Sequence, residues 1–157
     1  MNSTKNSLEP VVRTVQVPLA AAEAFVLFTR DMGRWWPLQV HSIAADTHDG
    51  RVTATGLVFE ERVGGRIYET MSDGSEGDWG TVLEWSPDAR VAFSWNPTLE
   101  ERPETTVTVW FTPTGAGTEV TLVHTGWELL GDIGAAHRDG YDNGWVGVLA
   151  RFVEAAG

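Results

Sequence analysis

The sequence contains no cysteine. That excludes disulfides, a thiolate nucleophile and zinc–thiolate sites. Lysine is nearly missing too. Lys5 is the only one, and 11 basic residues face 22 acidic ones, for a net charge of −11. Nucleic-acid binding by counterion release needs clustered Lys and Arg, and anionic membranes recruit basic surfaces. We therefore expect neither nucleic acid nor membrane as a partner. No run of about 18 apolar residues exists, the length a membrane span requires. The first residues, MNSTKNSLEP, are polar and lack the apolar stretch of a secretory signal, which points to the cytoplasm. Also missing are a G-x-S-x-G nucleophile elbow, a Walker loop, internal repeats and low-complexity segments. We expect no cofactor and no resident metal. His41, Asp46, His48 and Asp49 are the one group that could surround a divalent ion, but their spacing matches no metal motif and the segment reads as a solvated loop.

What the chain does have is aromatic bulk: eight tryptophans, six phenylalanines and two tyrosines in 157 residues. The length suits one domain with a sizeable core. We expect residues 1–9 as a loose tail and 10–157 as the folded unit. Val11–Val17 (VVRTVQV) alternates and is β-branched, so it reads as a strand. Ala21, Ala24, Phe25 and Phe28 then form a helical stripe, and Asp31 starts a short second turn that Pro37 ends. HSIAADTHDG reads as a turn region. Six strands follow, at 51–61, 66–71, 78–86, 91–95, 105–114 and 118–125, separated by glycine- and proline-rich links such as VGG and SDGSEGD. Short links between consecutive strands mean an antiparallel meander. The strand DWGTVLEW breaks alternation, so either both of its faces are covered or a bulge shifts its register. A last helix carries Tyr141, Trp145, Val148, Leu149 and Phe152 on one stripe. The glycines around it, Gly131, Gly134, Gly140, Gly144 and Gly147, either let it approach the sheet closely or leave a void for a ligand. The class is α+β in the order β-α-α-β6-α, with a curved antiparallel sheet on a long C-terminal helix.

Several words in this order carry a resemblance: RTVQVPLAAAEAFVLFT, RWWP, GGRIYE, WGTVLEWSPDARVAFSW, GTEVTLVHTGW and GYDNGWVGVLARF. Across nearly the whole chain they resemble the helix-grip (START-like, SRPBCC) superfamily, and within it the family of activator-of-Hsp90-ATPase-homologue-1-like proteins. The WWP, GGR-Y-E and GW motifs also resemble bacterial enediyne self-resistance proteins of the calicheamicin type. The resemblance implies a cavity between sheet and C-terminal helix that takes an apolar small molecule. It also implies two alternatives, a module that contacts an Hsp90-type chaperone and modulates its ATPase, and a cyclase- or hydrolase-like enzyme.

The residues agree best with a non-catalytic protein, a monomer or weak dimer, that binds an apolar or aromatic small molecule, with sequestration or self-resistance as its sharpest form. Our candidate ligand-facing residues are Trp35, Phe59, Tyr68, Trp79, Trp95, Trp110, His124, Trp145 and Leu149. Trp35 and Trp36 are adjacent and cannot face the same way, and we assign Trp35 to the cavity. His124 shares its strand face with Val120 and Leu122. It is either a core histidine with both nitrogens satisfied, the favoured role, or a ligand contact and acid–base group, which the enzyme alternative would need. His137 and Tyr141 read as part of a helix-start cluster, with Asp132 and Asp139 as capping candidates. Arg66 is expected to form cross-strand ion pairs. If the loops at 72–79 and 96–104 border the cavity mouth, their acids would favour a cationic ligand.

Overall fold

Strand β1 (Val11–Val17) converts its alternation directly into burial: Val11 and Val17 are buried, while Val12, Thr14 and Gln16 face solvent. In the computed structural model, which describes residues 8–47 and 51–157, β1 is followed by α1 (Ala21–Phe28), a 3-10 turn (Met32–Arg34) and α2 (Ile43–Thr47). Then come β2 (Ala54–Phe59), β3 (Arg66–Met71), β4 (Glu76–Ser86), β5 (Arg90–Trp95), β6 (Thr105–Thr114) and β7 (Gly117–Thr125). A second 3-10 segment (Trp127–Ile133) leads into α3 (Gly134–Ala156), of 23 residues. All seven strands form one curled antiparallel sheet, ordered β1-β7-β6-β5-β4-β3-β2. The two edges, β1 and β2, are consecutive in the chain, so the segment that joins them must cross the whole sheet. That crossing carries α1 and α2, and α3 lies beside α1 over the concave face, with Phe28 and Phe152 meeting at 5.3 Å.

The irregular strand β4 is bulged twice. Its register against β3 shifts at Ile67/Tyr68, and its register against β5 shifts at Val82/Glu84. Each extra residue re-aims its neighbours, so Trp79 and Val82 both point inward while Leu83 faces solvent. Gly80 is required at the first bulge, because a Cβ there would lie 1.8 Å from the Ser94 carbonyl oxygen.

The region expected to be all turn instead begins with helix α2. Five residues cannot hold a helix on propensity alone; tertiary contacts hold this one. Ser42 Oγ accepts from the Ala45 N–H, and Ile43 and Ala44 are buried. His48 and Asp49 lie outside the described residues, as do residues 1–7 of the expected tail. At the end of that tail, Arg138 donates to the carbonyls of Glu9 and Pro10, at 2.9 and 3.4 Å. Helix α3 starts without a side-chain cap, so neither Asp132 nor Asp139 plays that part. No helix among the described residues is long and apolar enough to cross a membrane.

Candidate functional site

Between the sheet, the segment 36–46 and α3 lies a cavity of about 470 Å³. Four indoles from four parts of the chain wall it: Trp36 from the stretch after the first 3-10 turn, Trp79 from β4, Trp95 from β5 and Trp145 from α3. They form one mutually contacting cluster. Trp36 lies 5.1, 5.7 and 5.8 Å from Trp79, Trp95 and Trp145, and Trp95 lies 5.5 and 5.6 Å from Trp79 and Trp145. Beside Trp145, α3 contributes a row of small positions four residues apart, Ala136, Gly140 and Gly144. A Cβ added at Gly140 or Gly144 would meet nothing within 4 Å. These positions leave that part of the lining without side chains. Gly134 does the opposite job: a Cβ there would lie 2.2 Å from the Trp127 carbonyl oxygen, so this glycine permits close packing.

The wall is held by a buried carboxylate. Glu69 is fully buried on β3 and accepts from the backbone N–H groups of Ile43 and Ala44, at 2.6 and 3.1 Å, and from Trp79 Nε1 at 2.7 Å. One side chain thus fixes both α2 and the Trp79 ring against the cavity. Trp36 is fixed separately, its Nε1 donating to the His41 carbonyl at 2.7 Å.

His124 forms a second anchor, behind the wall rather than in it. Trp145 Nε1 donates to His124 Nδ1 at 3.0 Å, which requires the neutral tautomer with its proton on Nε2. That proton then serves Thr105 Oγ1 at 2.7 Å, and the Thr105 hydroxyl donates to the Trp95 carbonyl. Burial pushes the pKa of the imidazole down from 6.5 to about 3. Both nitrogens are occupied, the residue has no exposure and it does not line the cavity. This is the core role, and it leaves no free nitrogen for acid–base chemistry on a ligand.

A smaller, more polar cavity of about 250 Å³ adjoins the first, lined on its far side by Asn96, Glu100 and Arg102. The two share Asp46, Trp95, Pro97, His137 and Tyr141. Here Arg102 Nη1 donates to His137 Nε2 at 2.7 Å, and His137 Nδ1–H donates to the Ile133 carbonyl, so His137 is neutral. Tyr141 is half-buried. Burial raises its pKa above the ordinary value of 10, while the Trp95 indole and the Arg102 charge pull the other way. Trp95 Nε1 is buried and approaches the Tyr141 hydroxyl closely enough to lower its pKa, without reaching full hydrogen-bond geometry.

Of the nine residues expected to face a ligand, Trp79, Trp95 and Trp145 meet at the cavity. The assignment of Trp35 is corrected. Trp35 is a core residue, its Nε1 bonded to the Leu27 carbonyl and its ring against Phe28 and Phe152, and Trp36 takes the cavity. Phe59 packs on Trp85 and Phe93 away from the cavity, and Leu149 is sealed in the core. Tyr68 and Trp110 are on the outer face. Arg66 caps the Tyr68 ring at 4.0 Å, and Trp110 is 37% exposed. Strand parity already placed both outside, since Ile67 and Met71, or Val109 and Phe111, take the inner positions. The same parity flags Glu69, an acid at an inward position, which sequence reasoning passed over. Of the acidic loop residues, only Glu100 borders a cavity; Glu76 and Asp78 pair with Arg66 instead. Among the described residues, no group of three or more His, Cys, Asp and Glu comes together to hold a metal.

A curled sheet gripping a long C-terminal helix, with a cavity between them, defines a helix-grip protein. Residues 20–157 match the family described as activator of Hsp90 ATPase homolog 1-like protein, and the chain belongs to that family. Among solved structures, it is similar to protein CV1439 from Chromobacterium violaceum, with a TM-score of 0.67 and 16% identity over 94% of this chain and 97% of that one. It is also similar to Txn09, an anthrahydroquino-gamma-pyrone synthase, with a TM-score of 0.60 and 30% identity over 96% of this chain and 99% of that one. DynU16, from the dynemicin biosynthetic locus, has a TM-score of 0.56 and 21% identity over 93% of this chain and 46% of its own. No curated protein matches the sequence.

Proposed function

We propose that this protein binds a flat, largely apolar aromatic small molecule between its sheet and α3. The observation that carries the reading is a cavity of about 470 Å³ lined by four indoles and by two side-chain-free positions of α3, Gly140 and Gly144. That volume falls within the range of about 300–1,000 Å³ usual for small-molecule sites. Indole faces stack on aromatic rings at little conformational cost. Glu69 and His124 preorganise the wall, so little ordering remains to oppose binding. Sequestration of such a molecule is the simplest use of the site. A chaperone connection rests on the family's name and on no residue of the site.

Titration with anthraquinone tests the reading. We expect saturable quenching of tryptophan fluorescence in the wild type and none in Gly144→Phe, whose ring fills the space while α3 stays intact. Absence of quenching in the wild type, or equal quenching in both proteins, overturns it.

One observation favours a second reading, ring-forming catalysis on an aromatic substrate: the 30% identity to Txn09 over nearly both chains. The groups available for proton transfer on the cavity wall are His41, Asp46 and Tyr141. The two readings separate on the fate of the bound molecule. A sequestering protein returns it chemically unchanged, whereas an enzyme releases a new ring system at a rate that falls in Asp46→Asn or Tyr141→Phe.

A further inference from the structure

Asp46, near the end of α2, lines both cavities where they meet. Its place is fixed by the core. Glu69 accepts from the backbone N–H groups of Ile43 and Ala44, and the Asp46 N–H closes the turn on the Ser42 carbonyl at 3.1 Å. The Asp46 side chain is exposed at the rim, and its carboxylate makes no hydrogen bond or ion pair among the described residues. The charges around it leave it uncompensated. Arg102 is the one arginine on either lining, and its guanidinium is taken by Glu100 at 2.9 Å and by His137 Nε2 at 2.7 Å. Arg102 and Glu100 cancel. With the histidines neutral, the two linings together carry one unbalanced charge, the negative charge of Asp46. The surface at the junction suits a cation in a second way. Trp95 and Tyr141 border both cavities there, and aromatic rings attract ammonium groups. The Asp46 charge is felt at that point: after the larger effect of burial, it helps to raise the Tyr141 pKa.

We propose that the molecule bound between the sheet and α3 is a cation, an aromatic body bearing an ammonium group that donates to the Asp46 carboxylate beside Trp95 and Tyr141. Its rings lie among the four indoles and its charged end lies at the rim. An ammonium deep in the apolar cavity would lose its hydration with no anion to replace it. At the rim it keeps part of its water and gains a charge-assisted hydrogen bond. The net charge of −11 adds a long-range attraction for cations. The inference rests on the binding reading above and adds the charge and orientation of the ligand.

Two probes with one ring skeleton test it, 9-(aminomethyl)anthracene, which is cationic, and 9-(hydroxymethyl)anthracene, which is neutral. Each is titrated by tryptophan quenching against the wild type, Asp46→Asn and Glu154→Gln. Glu154 is exposed near the end of α3 and lies on neither lining, so its substitution removes the same charge at a distance. We expect the wild type to prefer the amine. Asp46→Asn should weaken the amine about tenfold, as for loss of one hydrogen bond to a charged group, and leave the alcohol within about twofold. Glu154→Gln should leave both unchanged. In the wild type, raising the pH through the amine's own titration should erase the preference while the alcohol binds as before, a readout that needs no substitution. The alcohol also reports that the variant site is folded. If the wild type shows no preference, or if the preference survives Asp46→Asn or falls equally in Glu154→Gln, the inference is overturned while aromatic binding stands. Equal weakening of both probes by Asp46→Asn overturns it too. If neither probe binds the wild type, the binding reading falls and the inference with it.

Discussion

Glu69 is a fully buried carboxylate with no cation beside it among the described residues, stabilised by three N–H donors from two segments. Hydrogen bonds to a charged acceptor are the strong kind, and its loss strands all three donors. Glu69→Ala should therefore destabilise the protein by about 2–4 kcal/mol in urea denaturation and loosen Trp79, seen as a shift in tryptophan emission. An unchanged urea midpoint would refute this role. His124 carries a pH dependence. Its folded pKa of about 3 lies below the ordinary 6.5, so the unfolded chain takes up the proton first. Its contribution to stability is complete above pH 6.5 and is lost as pH falls from 6.5 toward 3, at up to about 1.4 kcal/mol per pH unit. Urea midpoints of the wild type should fall more steeply over that window than those of His124→Gln. Parallel profiles would show that the imidazole does not titrate in this way.

Within α3, glycines of the same sequence type have opposite consequences. Gly147 faces open space on the solvent side, so Gly147→Ala should add about 0.5–1 kcal/mol of stability. Gly144→Ala should stabilise by a similar amount while narrowing the cavity. Gly134→Ala must push a methyl group into the Trp127 carbonyl and should destabilise. Chemical denaturation of the three variants checks the order, and stabilisation by Gly134→Ala would contradict it. The sequence left the role of these glycines open between close packing and a void, and the structure divides it, Gly134 packing and Gly140 with Gly144 opening. Strand parity was legible for β6 and β7, where inner and outer residues alternate without interruption. It failed in β4, because a bulge is set by pairing with both neighbouring strands, at Gly80 and Leu83, and not by the strand's own pattern.

Over the whole molecule, the charge of −11 sets a repulsive field for anions, while the junction of the cavities holds one anion, Asp46, near the cationic Arg102. The two act over different ranges, since a field felt in solution is screened beyond about 10 Å at 0.1 M salt. The association rate of an anthraquinone sulfonate should therefore rise with ionic strength, and that of neutral anthraquinone should not. Stopped-flow quenching at several salt concentrations measures this, and identical salt profiles for the two would remove long-range charge from the account.

The α+β class, the seven strands, the long final helix and the inward faces of the regularly alternating strands were determined by the sequence alone, because each rests on the spacing of apolar residues and turn-formers within a few positions of one another. Only the tertiary structure decided which inward aromatics share a cavity. Trp36 replaced Trp35 because the 3-10 turn and Pro37 direct one ring to the core and the other across to β4, β5 and α3. Glu69 meets Ile43 and Trp79, and His124 meets Trp145, only when the sheet curls around α3. Such contacts join segments about 10 to 26 residues apart or more, and no local periodicity records them.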